Sequence, residues 1–135
     1  MLKDFTVIEI VKQVGPLVVI IEPTKLRFVK AVVEALEFTP FVRYLVDNKG
    51  KRIAVQLCKE KETQAVKFSK PQAEQGAKAV LYQNAELVTL IRGLMPEWEE
   101  GKKYSIEGVY SKADKAVIFD LKEATEYTRR INRYE

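Results

Sequence analysis

Phe41-Val42-Arg43-Tyr44-Leu45-Val46-Asp47-Asn48-Lys49-Gly50-Lys51-Arg52-Ile53-Ala54-Val55-Gln56-Leu57 is the stretch on which the fold turns. Its two arms, Val42–Val46 and Arg52–Leu57, are rich in β-branched and aromatic residues that fit a pleated surface. Asp47-Asn48-Lys49-Gly50 between them carries the polar and glycine residues that reverse a chain. The stretch therefore reads as a β-hairpin.

Upstream, Val29, Val33 and Leu36 follow Leu26 at helical spacing, and Pro40 ends that helix by disfavouring helical backbone at Thr39. Lys25 to Phe28 is either a short strand or a first helical turn. Leu17-Val18-Val19-Ile20-Ile21 reads as a buried strand, with turns at Gly15-Pro16 and at Glu22-Pro23-Thr24. Phe5 to Val11 is a further strand, apolar on both faces.

Downstream, Val66–Phe68 is a short strand, Pro71–Gly76 a linker or short helix, and Lys78–Tyr82 an extended piece. Asn84 caps a helix whose apolar face is Leu87, Leu90, Ile91 and Leu94, and Pro96 marks its end. Tyr104–Tyr110 and Ala116–Leu121 form a second hairpin around Ser111-Lys112-Ala113-Asp114.

The order of extended piece, helix and hairpin thus occurs twice, over 25–57 and 78–121. The expected fold is α+β: an antiparallel sheet built from two strand–helix–hairpin units, with the helices packed on one face. A single domain spans 1–122, and 123–135 is a C-terminal basic helix or tail in which Tyr127, Ile131 and Tyr134 recur at helical spacing. Those three residues are the candidate partner-binding set.

The run Phe28–Leu36, continued by Arg43-Tyr44-Leu45-Val46 and Lys51–Gln56, resembles a helix-then-hairpin unit of short uncharacterised bacterial α+β proteins. The resemblance implies a bacterial origin and supports the fold; it carries no activity.

Several chemistries are excluded by composition. The chain has no histidine, so neither a Ser-His-Asp nor a Cys-His arrangement can form within it. One cysteine cannot build a structural zinc site or an internal disulfide. The six glycines form no Walker A or dinucleotide-binding loop. No cofactor or metal is expected. The longest apolar run, Leu17 to Ile21, is far short of the roughly 20 residues that cross a membrane. With no visible export signal, the expectation is a soluble cytoplasmic protein without a membrane partner.

Charge supplies the remaining signal. Residues 41–71 hold eight basic and three acidic groups, while the whole chain is only +4. Arg43, Lys49, Lys51, Arg52, Lys59 and Lys67 lie on or beside the first hairpin and are the candidate nucleic-acid-binding residues, since a ribbon of cations can neutralise phosphates. Tyr44 and Phe68 can stack on bases if exposed. The bland alternative is that edge lysines oppose aggregation and the aromatics pack inside.

Cys58 lies beside Lys59 and Lys61, cations that lower a thiol pKa; a small half-buried strand residue is the simpler reading. Among the carboxylates, Glu97, Glu99, Glu100, Glu107, Asp114 and Asp120 are candidates for an acid/base pair, with no two selected by spacing.

The expected function is a non-catalytic binding module, with nucleic acid the favoured ligand through the basic hairpin. A protein-interaction or self-assembly domain forming a homo-oligomer is the alternative. A small enzyme or ligand-binding domain using carboxylates or Cys58 is the third.

Overall fold

The computed structural model describes residues 15–128. The elements run β1 (Leu17–Ile21), β2 (Lys25–Phe28), α1 (Lys30–Ala35), β3 (Phe41–Asp47), β4 (Arg52–Leu57), β5 (Val66–Lys67), α2 (Gln72–Gln75), β6 (Val80–Gln83), α3 (Ala85–Gly93), β7 (Tyr104–Ser111), β8 (Ala116–Asp120), a 3-10 turn (Leu121–Glu123) and β9 (Thr125–Glu126). The strand expected over Phe5 to Val11 lies outside the described residues.

Among the described residues all strand pairs are antiparallel and join one sheet in the order β5-β3-β4-β8-β7-β1-β2-β6, with β9 adding to β7. The two hairpins do meet, through β4 and β8. The α+β expectation fails elsewhere: the described residues are mainly β, a nine-stranded sheet curled into a half-barrel, and the helices among them are small. The extended pieces β1, β2 and β6 join the sheet itself, β1 beside β7 and β6 beside β2. Helices of six, four and nine residues cannot cover one face of so wide a sheet.

The sheet instead buries its inner face against itself. Strand alternation sends Val19, Ile21, Leu26, Phe28, Val42, Ile53, Val55, Ile106, Val117 and Phe119 inward, and these pack with Val32, Val33, Leu36, Val88 and Ile91 of the helices in one cluster. Phe28 on β2 touches Tyr44, Phe68 and Phe119 from β3, the β5 end and β8, with ring centroids 6.2, 5.5 and 6.2 Å away. Tyr44 also stacks on Tyr82 of β6 at 4.9 Å. These contacts draw the two margins of the sheet together across the core, where no ladder joins them.

Local chemistry explains the connections. Asn84 caps α3, its Oδ1 accepting from the Leu87 amide at 2.9 Å. The buried positions of α3 are Val88 and Ile91, followed by Met95, whereas Leu90 is half exposed. Both four-residue hairpin loops end on a lysine in left-handed backbone, Lys51 at φ 53° and Lys115 at φ 51°. In the first loop the Asp47 carboxylate accepts from the Gly50 amide at 3.0 Å, and a Cβ on Gly50 would collide with it.

Arg92 ties α3 to the loop before β7. Its guanidinium donates to the backbone oxygens of Ile21, Glu99 and Lys102 and lies 5.8 Å from the centre of the Tyr104 ring. Burial lowers its pKa, opposed by Tyr104 and Glu100.

Candidate functional site

The outer face of β3, β4, β8 and β7 is ordered in three levels, each made of direct cross-strand partners. The first level is Asp47–Arg52–Asp120, with Glu107 of β7 one residue beyond the Gly108–Phe119 pair. The middle level is Leu45–Ala54–Ile118–Val109. The third is Arg43–Gln56–Ala116–Ser111. Side-chain alternation at a period of two places all of them opposite the core.

The middle level is an uninterrupted apolar row. Val109 is 71% exposed and Leu45 41%. Two adjoining grooves follow it and share Arg52 and Ile118. One, of about 740 Å³, is lined by Arg52, Glu107, Gly108, Val109, Ile118, Asp120 and Glu123. The other, of about 270 Å³, lies over Leu45, Ala54, Ile118 and Asp47.

The first level is electrostatically organised. Arg52 donates to the Asp47 carboxylate from Nε at 3.0 Å and a terminal nitrogen at 2.8 Å. The Gly50 amide and Arg52 hold the Asp47 carboxyl below the usual range. Asp120 accepts from the Lys122 amide at 3.0 Å and pairs with Lys122 Nζ at 2.9 Å. Lys122 thereby holds the Asp120 carboxyl below its ordinary value, which makes it a poor proton donor near neutral pH. Lys122 Nζ also donates to the Gly50 carbonyl, joining the two hairpins.

The six basic candidates fall into two groups. Lys49, Lys51 and Arg52 sit at the hairpin turn, where Arg52 is paired with Asp47. Arg43, Lys59 and Lys67 lie toward the other end: Lys67 opposes Phe41, and Cys58, just before Lys59, donates its amide to the Phe41 carbonyl. The Arg43–Gln56 and Asp47–Arg52 pairs are four residues apart along the ladder, about 13 Å at strand rise. Leu45 and Ala54 occupy the outer face between them. Tyr44 and Phe68 face the core. Burial, and secondarily Tyr82, pushes the Tyr44 hydroxyl up.

Tyr127 is on the surface, its amide donating to the Lys103 carbonyl at 2.8 Å next to β9. Ile131 and Tyr134 lie outside the described residues. Sequence reading missed the apolar row: the strand alternation that could have revealed it was legible, but its assembly needs the β4–β8 register.

Cys58 is buried, and burial with Glu62 nearby pushes its thiol up, against an opposing effect of Arg43. A raised pKa means less thiolate at any given pH. Alkylation by iodoacetamide is therefore expected to run at least ~10-fold slower in the native protein than in urea, with a midpoint above the free value of about 8.5. Equal rates in the two states would show that the thiol is accessible and unshifted.

Among the described residues no group of three or more His, Cys, Asp or Glu side chains is placed to hold a metal ion, and no helix is long and apolar enough to cross a membrane. No family model, curated protein or solved structure matches the chain.

Proposed function

We propose that this domain is a non-catalytic binding module that docks a protein surface on the outer face of β3, β4, β8 and β7. The observation that carries the reading is the row Leu45–Ala54–Ile118–Val109, apolar on four successive strands of the outer face, exposed at Leu45 and Val109 and half-buried at Ala54 and Ile118 between them. Isolated apolar side chains on a surface are ordinary; a contiguous row with a polar rim is the pattern of an interaction site. Peptides selected from a displayed random library against the immobilised chain should perturb amides of β4 and β8. Val109→Glu with Ile118→Lys should weaken them at least ~10-fold, the loss of one or two interface anchors. Binders that map elsewhere, or ignore the double change, refute the docking face.

A second reading, nucleic-acid binding, draws on Lys49, Lys59 and Lys67, which are exposed and have no ion pair among the described residues. Retention on heparin or DNA at low salt, lost in Lys59→Glu/Lys67→Glu, would favour it; salt-insensitive or absent retention would count against it.

A further inference from the structure

We propose that residues 5–11 of this chain, which lie outside the described residues, cover the apolar row within the same molecule as a tethered strip that a partner must displace. This inference rests on the docking reading above and adds the regulation of that site.

The point at which the chain leaves the sheet directs the strip to the row. The β1 ladder stops at Leu17, opposite Gly108. The pair is antiparallel, so the residues before Leu17 emerge beside Val109, the next residue of β7 and the most exposed member of the row. Beyond Gly108, β7 has no partner on its β1 side among the described residues. Gly15, at the exit, has φ 92°, left-handed backbone through which the chain can turn back over the sheet. From Val109 the row crosses β8 and β4 to Leu45 on β3, about 14 Å at strand spacing. Residues 5–16 reach up to about 40 Å. The strip can therefore lie along the whole row, with Lys12, Gln13 and Val14 as slack.

Composition fits the surface. Phe5-Thr6-Val7-Ile8-Glu9-Ile10-Val11 is apolar at five of seven positions, with one charge. Apolar side chains gain by leaving water for an apolar row. The other end of the described chain is less suited. Tyr127 sits beside Lys103, toward the opposite end of β7 from Val109, and Arg129, Arg130 and Arg133 follow it.

Size favours a strip from the same chain over a separate partner of like length. Few side chains fit along a row so short, and so small a contact holds a free segment weakly. A tether of a few residues presents the strip at an effective concentration of about a millimolar or more. The weak contact is then populated within one molecule, and a partner with a larger footprint can still displace it.

Maleimide labelling of Val109→Cys in the full chain tests the cover, read site by site by mass spectrometry to separate it from the buried Cys58. Val7→Asp/Ile10→Asp should speed that labelling at least ~5-fold. Labelling of Leu90→Cys, exposed on α3, should not change. Protection in the parent should be equal at about 5 and about 500 µM, as a contact within one molecule requires. Position is tested separately, with the strip's remaining residues intact. Phe5→Cys with Leu45→Cys, at the far end of the row, should form a disulfide within the monomer on oxidation. Phe5→Cys with Leu81→Cys, exposed on β6, should not. The peptides that define the docking face should bind the Val7→Asp/Ile10→Asp chain at least ~5-fold more tightly than the parent. Val109→Cys labelling, fast or slow, that ignores the strip variant overturns the proposal, and peptides that still perturb β4 and β8 would then leave the docking face standing. Protection that grows with concentration, or that is lost in Ile131→Asp instead, overturns it by assigning the cover to a second copy or to residues 129–135. A disulfide to Leu81→Cys rather than Leu45→Cys overturns it as well.

Discussion

Replacing Phe28 with alanine is expected to cost about 3–5 kcal/mol, the range for removing a buried aromatic from a packed core. Phe28 is fully buried, and its ring meets rings from β3, β8 and the segment following β5. None of those strands pairs with β2, whose ladder neighbours are β1 and β6. The side chain therefore holds together parts of the sheet that no backbone hydrogen bond joins. A loss of that size is a large fraction of the 5–15 kcal/mol that stabilises an ordinary domain. Urea unfolding followed by circular dichroism measures it. Leu90→Ala, on the exposed side of α3, is the control and should stay within about 0.5 kcal/mol. A Phe28→Ala chain that unfolds within 1 kcal/mol of the wild type would show that the curl does not depend on this contact.

The second large effect is expected at Gly108, on the inward side of β7. A Cβ there would lie 2.7 Å from two ring carbons of Phe119 and 2.9 Å from the Ile118 carbonyl oxygen. Phe119 is fully buried and cannot swing out of the way, and the carbonyl belongs to the neighbouring strand β8. Gly108→Ala should therefore destabilise by about 1–3 kcal/mol or more through overpacking. The strain has a named partner, so a double-mutant cycle identifies it. Gly108→Ala in a Phe119→Leu background should cost less than in the wild type, because the ring carbons are gone. Equal costs in both backgrounds would place the strain on the β8 carbonyl instead. The same pair matters for function: Val109 and Ile118 are the next cross-strand partners, so the close ring-on-glycine packing inside fixes the register that aligns the apolar row outside.

Much of the local structure was legible because it depends on neighbours in sequence. The turn residues of Asp47 to Gly50 marked the first hairpin, and its arms alternate as read. Asn84 was identifiable as a cap because its amide oxygen needs only the backbone two to three residues ahead. Leu90 was misplaced for a related reason. Periodicity finds an apolar stripe, but the neighbouring elements decide which edge of the stripe is buried, and here they take Val88 and Ile91. The basic segment was equally visible as composition, yet strand direction divides its cations between the two ends of the ribbon, with Leu45 and Ala54 between them.

By itself, the sequence determined the two hairpins, the capped helix, the histidine-free chemistry and the alternation that makes each strand two-faced. These follow from adjacent residues and from composition. The tertiary structure decided that the extended pieces would extend the sheet rather than leave a face for helices, and that four side chains from separate strands would form one apolar row on the outer face. Both depend on pairing between residues far apart in the chain, such as Ala54 with Ile118. Strand alternation says which residues share a face, but only packing of the curled core selects which strands lie side by side.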